Sequence, residues 1–308
     1  MSKILITGGC GFIGTNLVKR LLQDGHEISV IDDLSSGFKQ HIHEKIIMIK
    51  GSIEDNSKLA ECFSYKPDYV IHLAALFANQ NSVEHPSKDL SVNGLGMIKL
   101  LEWCKKAKVK KVLYSSSSCV YGNKTVMHES DNDLYPDTPY AITKLLGENY
   151  AKFWSSHHGL DVVTVRLFNV YGPGDFPGVY RSVVPNFIKL ALQGRPLIIT
   201  GTGKETRDFS YVEDTVEGIC KVLFAETDPG DIFNIATGIK TSILEIANTI
   251  NSHCKNNSEI IFEKPRKWDH VIHRQANIDK INSLLGFTPK IGIDEGIKKT
   301  CDWLAGIT

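Results

Sequence analysis

Thr7-Gly8-Gly9-Cys10-Gly11-Phe12-Ile13-Gly14 decides the fold. An apolar run at residues 4–7 leads into it, and an amphipathic stretch over residues 12–22, closed by Gly25, leads out. The order reads as strand, tight turn and helix. Glycines at this spacing let the backbone turn sharply and approach a pyrophosphate, whose charge the unpaired N–H groups and positive end of the helix stabilise. The last glycine lets the helix pack closely on a sheet. A glycine cluster alone also fits a plain turn, but its place directly after the first strand favours a dinucleotide.

Working outward, a second strand over residues 28–32 closes on Asp32, at the interval where an acid accepts hydrogen bonds from the adenosine ribose. A carboxylate there repels the extra phosphate of NADP, so NAD is the expected cofactor. Lys39 is the one nearby base that tempers this preference, and Asp33, Ser35, Ser36 and Gly37 read as a tight loop beside it. Either aspartate taken alone also fits a solvated turn.

Further apolar strands at 46–49, 69–74, 111–115 and 162–168 alternate with helical stretches at 56–63, about 87–107 and 140–157. Continuous apolar strands separated by helices require a parallel sheet covered on both faces, an α/β Rossmann-like fold. Beyond Asn169 the texture changes to the glycine- and proline-dense YGPGDFPG. Residues 1–172 are therefore expected to form an NAD-binding domain and residues 173–308 mainly a smaller α/β substrate lobe, with exchange of segments between the lobes allowed.

The 308 residues carry 35 basic and 35 acidic side chains, a formal net charge of zero that offers no field for nucleic acid or an anionic membrane. The 7 cysteines are scattered without CxxC spacing or grouped histidines, which argues against a disulfide framework or metal site. Reduced thiols, and the lack of a signal-like or membrane-spanning run, lead to the expectation of a cytoplasmic protein.

The chemistry-bearing residues lie on the predicted helix over 140–157. Tyr140 and Lys144 are spaced i, i+4 and share a face, so a tyrosyl oxygen can exchange a hydroxyl proton beside an ammonium that stabilises its phenolate. YxxxK alone also fits a half-buried tyrosine with a solvated lysine. Ser115-Ser116-Ser117-Ser118 ends an apolar strand where ligands bind in this architecture, and spacing does not choose among the four.

With these residues in view, the chain resembles the extended short-chain dehydrogenase/reductase family and, within it, the nucleotide-sugar epimerases. Thr7 to Gly14 is similar to the family's TGGxGFIG, which implies cofactor contacts from Gly8, Gly11, Phe12, Ile13 and Gly14. Gly51-Ser52-Ile53-Glu54-Asp55 resembles its GDIxD adenine loop, implying roles for Ser52 and Ile53, and His72-Leu73-Ala74-Ala75 resembles the strand end beneath the cofactor. Asn93, Ser115, Tyr140 and Lys144 complete the implied cofactor set. Ser117 falls on the family's catalytic hydroxyl, with Tyr140 and Lys144 on its active-site pair.

Arg166-Leu167-Phe168-Asn169-Val170-Tyr171-Gly172-Pro173 resembles RxFNVYGP, which implies that Asn169 meets the substrate diphosphate. Val184-Pro185-Asn186-Phe187 resembles the stretch along the nucleobase, and Arg207-Asp208-Phe209 the element whose arginine holds the diphosphate together with a second arginine, here Arg266. Surface pairing with Asp208 or Asp269 is the plainer alternative for these arginines. The usual RxGD is replaced by Arg266-Lys267-Trp268-Asp269, and His273 and Arg274 add bases that leave room for a carboxylate-bearing sugar and fit plain solvated bases equally well. Phe77-Ala78-Asn79 stands where UDP-galactose 4-epimerases usually present a lysine.

The resemblance implies an NAD-dependent nucleotide-sugar 4-epimerase, acting on a UDP-hexose through a 4-keto sugar that turns about its phosphate linkage, and a homodimer. Dehydratases of this fold place an acid pair after the catalytic hydroxyl, where this chain has Ser118-Cys119, and decarboxylases a glutamate before VYG, where it has Cys119. A 4-ketoreductase and a non-enzymatic NAD-binding assembly protein complete the alternatives.

Overall fold

The computed structural model describes residues 1–254, 257–266 and 271–307. Its strands are β1 (Lys3–Thr7), β2 (Glu27–Asp32), β3 (Ile47–Lys50), β4 (Tyr69–His72), β5 (Lys111–Ser117), β6 (Val162–Leu167), β7 (Asn169–Tyr171), β8 (Leu197–Thr200), β9 (Thr206–Tyr211), β10 (Ile232–Ile235), β11 (Lys240–Ser242) and β12 (Ile260–Glu263). The helices are α1 (Phe12–Gln23), α2 (Asn56–Ser64), α3 (Asn79–Glu84), α4 (Pro86–Asp89), α5 (Gly96–Ala107), α6 (Pro139–His158), α7 (Val183–Leu192), α8 (Val212–Phe224), α9 (Ile243–His253), α10 (Asp279–Leu285) and α11 (Ile293–Ala305).

The chain forms two compact units. The first holds residues 1–120, 136–166 and 218–233, and the second residues 121–135, 167–217 and 234–308. In the first, a seven-stranded sheet runs in the order β10-β6-β5-β4-β1-β2-β3. The pairs β1–β2, β1–β4, β2–β3 and β4–β5 are parallel. This is a Rossmann-like order, with the chain reversing direction across the sheet at β1 and β4. Val70, Ile71, Val112 and Leu113 are fully buried on successive positions of β4 and β5, as strands covered on both faces require.

Helix α1 buries Thr15, Leu17, Val18 and Leu21, a 3.6-residue stripe set against β1 and β2. Helix α6 has a defined start and stop: Thr138 caps it by accepting from the Ala141 N–H at 3.3 Å, and Pro139 takes the first position. Gly159, with φ +62°, ends it in the left-handed region.

The long helix expected from about residue 87 to 107 is interrupted. A π-helical stretch, Leu90–Leu95, lies between α4 and α5. The wider turn carries Asn93 round to the loop after β4, where its Oδ1 accepts from the Leu76 N–H at 2.8 Å and its Nδ2 donates to Asp89 at 2.8 Å.

In the second unit β11, β9 and β7 form one sheet, with β9–β11 antiparallel and β7–β9 parallel, while β8 and β12 form a parallel pair. Its core gathers Tyr171, Val184, Phe187, Phe209, Ile246, Ile250, Ile297 and Leu304 from strands and from α7, α9 and α11.

Candidate active site

The glycine turn is a cradle cut to fit a backbone-hugging ligand. Gly8 has φ +73°, and a Cβ there would stand 2.7 Å from the Ala74 nitrogen, while one on Gly14 would stand 2.3 Å from the Gly8 carbonyl oxygen. No side chain caps the N-terminus of α1 at Gly11, which leaves the N–H groups of Phe12 and Ile13 at the positive end of the helix. Thr7 joins the turn to the end of β4: its hydroxyl accepts from the Ala74 N–H at 3.1 Å and meets His72 Nδ1 at 2.7 Å. Burial, and then the charge of Lys144, lower His72 to about 3, so the ring is neutral. Leu73, Ala74 and Ala75 are thereby placed beneath the turn, with Ala75 packed on the Cys119, Tyr140 and Ala141 cluster.

Asp32 is buried at the end of β2, accepting from the N–H of Cys10 at 2.9 Å and of Leu34 at 2.8 Å. Burial raises its pKa, and those two N–H groups pull it back. Each carboxylate oxygen retains acceptor capacity beyond these bonds. Asp33 instead shapes the loop, accepting from the Ser35 N–H at 2.8 Å and its hydroxyl at 2.6 Å. Ser36 and Gly37 follow in that loop, and Lys39 is exposed on the next turn.

Ser52 donates to Glu54 at 3.0 Å, and Glu54 is held by Lys88 at 2.7 Å and Ser91 at 2.5 Å, which braces the loop after β3. Ile53 is buried in the core against Gly96. Asn93 is buried as well, with its amide bonded to Leu76, Asp89 and Thr143.

At the end of β5 the four serines separate. The Ser115 carbonyl accepts from Lys144 Nζ at 2.7 Å, and the Ser116 hydroxyl donates to Glu148 at 2.5 Å. The Ser117 hydroxyl lies close enough to the Tyr140 side chain to lower its pKa and accepts from the Cys119 N–H at 3.2 Å. Ser118 is buried. The structure thus brings Ser117, Tyr140 and Lys144 together. Lys144 Nζ lies 5.6 Å from the Tyr140 ring centroid and 5.3 Å from that of Tyr114.

Burial pushes the Tyr140 hydroxyl well above the usual phenol range, Cys119 and Asp89 add to the rise, and the Ser117 bond pulls it down. Burial also brings Lys144 down to about 8, against the pull of Asp89, Cys119 and Glu148. The protein alone therefore keeps the tyrosyl proton at neutral pH. The phenolate expected from the lysine's proximity needs a further positive charge.

Several supporting residues gave no motif signal. The Tyr140 N–H donates to Ser82 at 3.0 Å, and Thr138 donates to Asn79 at 3.0 Å, so α3 holds the start of α6. Asn79 in turn donates to the Cys119 sulfur at 3.6 Å, and Phe77, 45% exposed, stands edge-on to Tyr140 at 5.9 Å. Glu148, one turn beyond Lys144, was detectable only as an acid continuing the four-residue spacing.

In the second unit Arg207 and Asp208 lie on opposite faces of β9, as neighbours in a strand must. Asp208 is fully buried and accepts from the Thr237 N–H at 2.9 Å, the Thr237 hydroxyl at 2.6 Å and the Gly238 N–H at 2.8 Å. Its role is structural, and it is not the surface partner of Arg207 that the plainer alternative required. Arg207 donates to the Thr206 carbonyl at 2.9 Å. Asn169 pairs across β7 with Phe209, two residues beyond Arg207. Val184 is fully buried, packed in the core of the second unit. Arg266 is exposed, while Lys267, Trp268 and Asp269 lie outside the described residues.

Residues 4–236 match the NAD dependent epimerase/dehydratase family. The chain belongs to this family. Relatives within it include a UDP-glucose 4-epimerase of Mycolicibacterium smegmatis, 35% identical over 98% of both chains. A UDP-N-acetyl-alpha-D-glucosaminuronate decarboxylase of Bacillus cytotoxicus is also 35% identical, over 99% of this chain and 98% of its own. Among solved structures, the epimerase Mth375 of Methanothermobacter thermautotrophicus superposes with a TM-score of 0.96 at 40% identity, covering 99% of this chain and 92% of its own. The epimerase/dehydratase family thus supplies the cofactor class. Because its members here include both an epimerase and a decarboxylase, the reaction must be argued from the site.

Proposed function

We propose that the protein is an NAD-dependent nucleotide-sugar 4-epimerase acting on a UDP-hexose. One observation carries the reading: beside the Ser117, Tyr140 and Lys144 cluster, packed with Tyr140, stands the thiol of Cys119, at a position where related dehydratases and decarboxylases place a carboxylate. The two buried carboxylates nearby are already engaged, Asp89 by Asn93 and Thr143, and Glu148 by Ser116 and Arg166.

Gly8, Gly11, Phe12, Ile13 and Gly14 would hold the pyrophosphate, Asp32 the adenosine ribose, and Lys144 the nicotinamide ribose. The cofactor, when bound, accepts and returns hydrogen at the sugar carbon and supplies the positive charge that favours ionised Tyr140. Ser117 orients the 4-hydroxyl, Tyr140 removes its proton and returns it after the sugar has turned, and Lys144 stabilises the tyrosyl oxygen. Asn169, Arg207 and Arg266 are suited to the diphosphate, since paired guanidinium donors match phosphate oxygens. The UDP-linked substrates named for the two relatives support this class.

We also propose a homodimer. Leu90, Leu95 and Ile142, respectively 53%, 47% and 53% exposed, put large apolar side chains in water on the π-helical stretch and α6. Light scattering after gel filtration tests it, and a monomer at micromolar concentration would reject it. All seven cysteines are free thiols, in keeping with a cytoplasmic, reducing setting.

The deciding experiment incubates purified protein, without added cofactor, with UDP-, dTDP-, GDP- and CDP-sugars and identifies products by NMR and mass. A new C4 configuration at unchanged mass is the expected result. Loss of water or carbon dioxide with no isomer formed rejects epimerisation.

A further inference from the structure

Three successive serines at the end of β5 meet three successive turns of α6. Ser117 lies beside the Tyr140 side chain and lowers its pKa, the Ser115 carbonyl holds Lys144 at 2.7 Å, and Ser116 donates to Glu148 at 2.5 Å. Only the third contact involves groups that touch no reacting atom. Glu148 is further gripped by Arg166 of β6, through Nε at 2.9 Å and Nη2 at 2.6 Å, and both charged side chains are nearly sealed from water. Burying two charges costs several kcal/mol per ion, so such a pair is weak as a source of stability and is better suited to fixing one register.

We propose that the Ser116–Glu148 hydrogen bond, backed by Arg166, is a positioning strut that holds the end of β5 in register with α6, so that Ser115 and Ser117 meet Lys144 and Tyr140. The inference rests on the reading of Tyr140 and Lys144 as the proton-transferring pair. Ser115 and Ser117 flank Ser116, so rotation of this one residue's backbone would misdirect both active-site contacts at once. Gly147 permits the close approach, since a Cβ there would stand 2.2 Å from the Tyr114 hydroxyl oxygen. That hydroxyl donates to the Lys144 carbonyl at 3.2 Å, a second tie between the same two elements. The groups facing Lys144 are His72 from β4, Tyr114 from β5, Cys119 beyond it, Asp89 from α4, and Tyr140 and Glu148 from α6.

The test compares Ser116→Ala, Ser116→Thr and Tyr140→Phe as full-length NAD-loaded protein, using UDP-glucose and UDP-galactose with their N-acetylated and uronate forms as probes. Ser116→Ala leaves Glu148 bonded to Arg166, so the fold is kept. Its kcat is expected to fall by about tenfold to a hundredfold, the scale of a small misplacement of reacting groups, at unchanged KM and with only the small fall in Tm that one lost hydrogen bond brings. The rising limb of its kcat–pH profile should move to higher pH, because the Ser117 bond that lowers the tyrosyl pKa is loosened, and Ser116→Thr should restore parental behaviour. Parental kcat and pH profile in Ser116→Ala overturn the proposal, as does a loss of activity explained by unfolding at the assay temperature. If Ser116→Ala behaves as the parent while Tyr140→Phe is inactive, only the strut fails. If Tyr140→Phe is fully active, or the parent leaves every probe unchanged, the underlying reading fails and the strut with it.

Discussion

Lys144 Nζ donates to the Ser115 carbonyl oxygen at 2.7 Å, so the ammonium is held by a neutral backbone dipole in a buried site. That arrangement fixes the direction of the side chain, and burial, outweighing the pull of Asp89, Cys119 and Glu148, lowers the pKa from 10.5 to about 8. The site carries this cost when it is empty of cofactor.

A pH dependence of stability follows. The folded state binds fewer protons than the unfolded chain between about 8 and 10.5, so stability rises with pH across that window, and the full penalty is present below it. Cofactor-free parent should therefore gain in Tm relative to Lys144→Met as pH climbs through the window. Parallel thermal melts of the two proteins check this, and a pH-independent difference between them would refute it.

Tyr140→Phe should retain the fold, because its ring contact with Phe77 and its backbone bond to Ser82 do not use the hydroxyl. Turnover should fall about a hundredfold to ten-thousandfold, the usual loss for a positioned acid or base. NAD affinity, measured by titration calorimetry, should stay close to the parent's. Parental turnover in a chemistry-limited assay would remove Tyr140 from the mechanism.

How much of this was legible in the sequence depends on the range of the interactions. The glycine turn and the β1, β2, β4 and β5 strands are local patterns, set by glycine sterics and apolar runs, and they stand within a few residues of where periodicity placed them. The π-helical stretch was not legible, because its cause is Asn93 bonding Leu76 across 17 residues. The four serines could not be told apart until α6 and β6 placed Glu148 and Arg166 beside Ser116. Val184 and Ile53 lie in motif-like segments, yet tertiary packing turned both side chains into the core.

Gly14→Ala should disable the cofactor cradle. The added Cβ would stand 2.3 Å from the Gly8 carbonyl oxygen and 2.7 Å from Gly9 Cα, both backbone atoms that cannot rotate away. Overpacking of this kind costs about 1–3 kcal/mol, and here it would also lift α1 off the turn. The expected outcome is a lower Tm with NAD binding weakened at least tenfold, on the scale of one or two charge-assisted hydrogen bonds. Parental NAD affinity would show that the turn does not contact the cofactor.

Asp32→Ala addresses cofactor choice. The carboxylate is oriented by the N–H groups of Cys10 and Leu34, and its charge opposes a phosphate on the adenosine ribose. Its removal should weaken NAD by roughly tenfold to a hundredfold, the worth of hydrogen bonds to a charged group, while NADP loses little or gains. Binding titrations with both dinucleotides are the check. An unchanged ratio of the two affinities would place the ribose elsewhere.

Arg207 and Asp208, adjacent on β9, should separate into one binding and one structural residue. Asp208 collects bonds from Thr237 and Gly238 in a fully buried site, so Asp208→Ala leaves several buried donors unsatisfied. Each such donor costs about 1–3 kcal/mol, which should appear as a marked fall in Tm. Arg207→Ala gives up bonds to backbone carbonyls, those of Thr206 and Ile272 at 2.9 and 3.5 Å, on a partly exposed face, so Tm should fall less than in Asp208→Ala. If its guanidinium meets the substrate diphosphate, KM for the nucleotide sugar should rise by about tenfold or more, while NAD affinity stays constant. Thermal melts and steady-state kinetics on the two variants make the comparison, and an Arg207→Ala protein with parental KM would move the diphosphate away from β9.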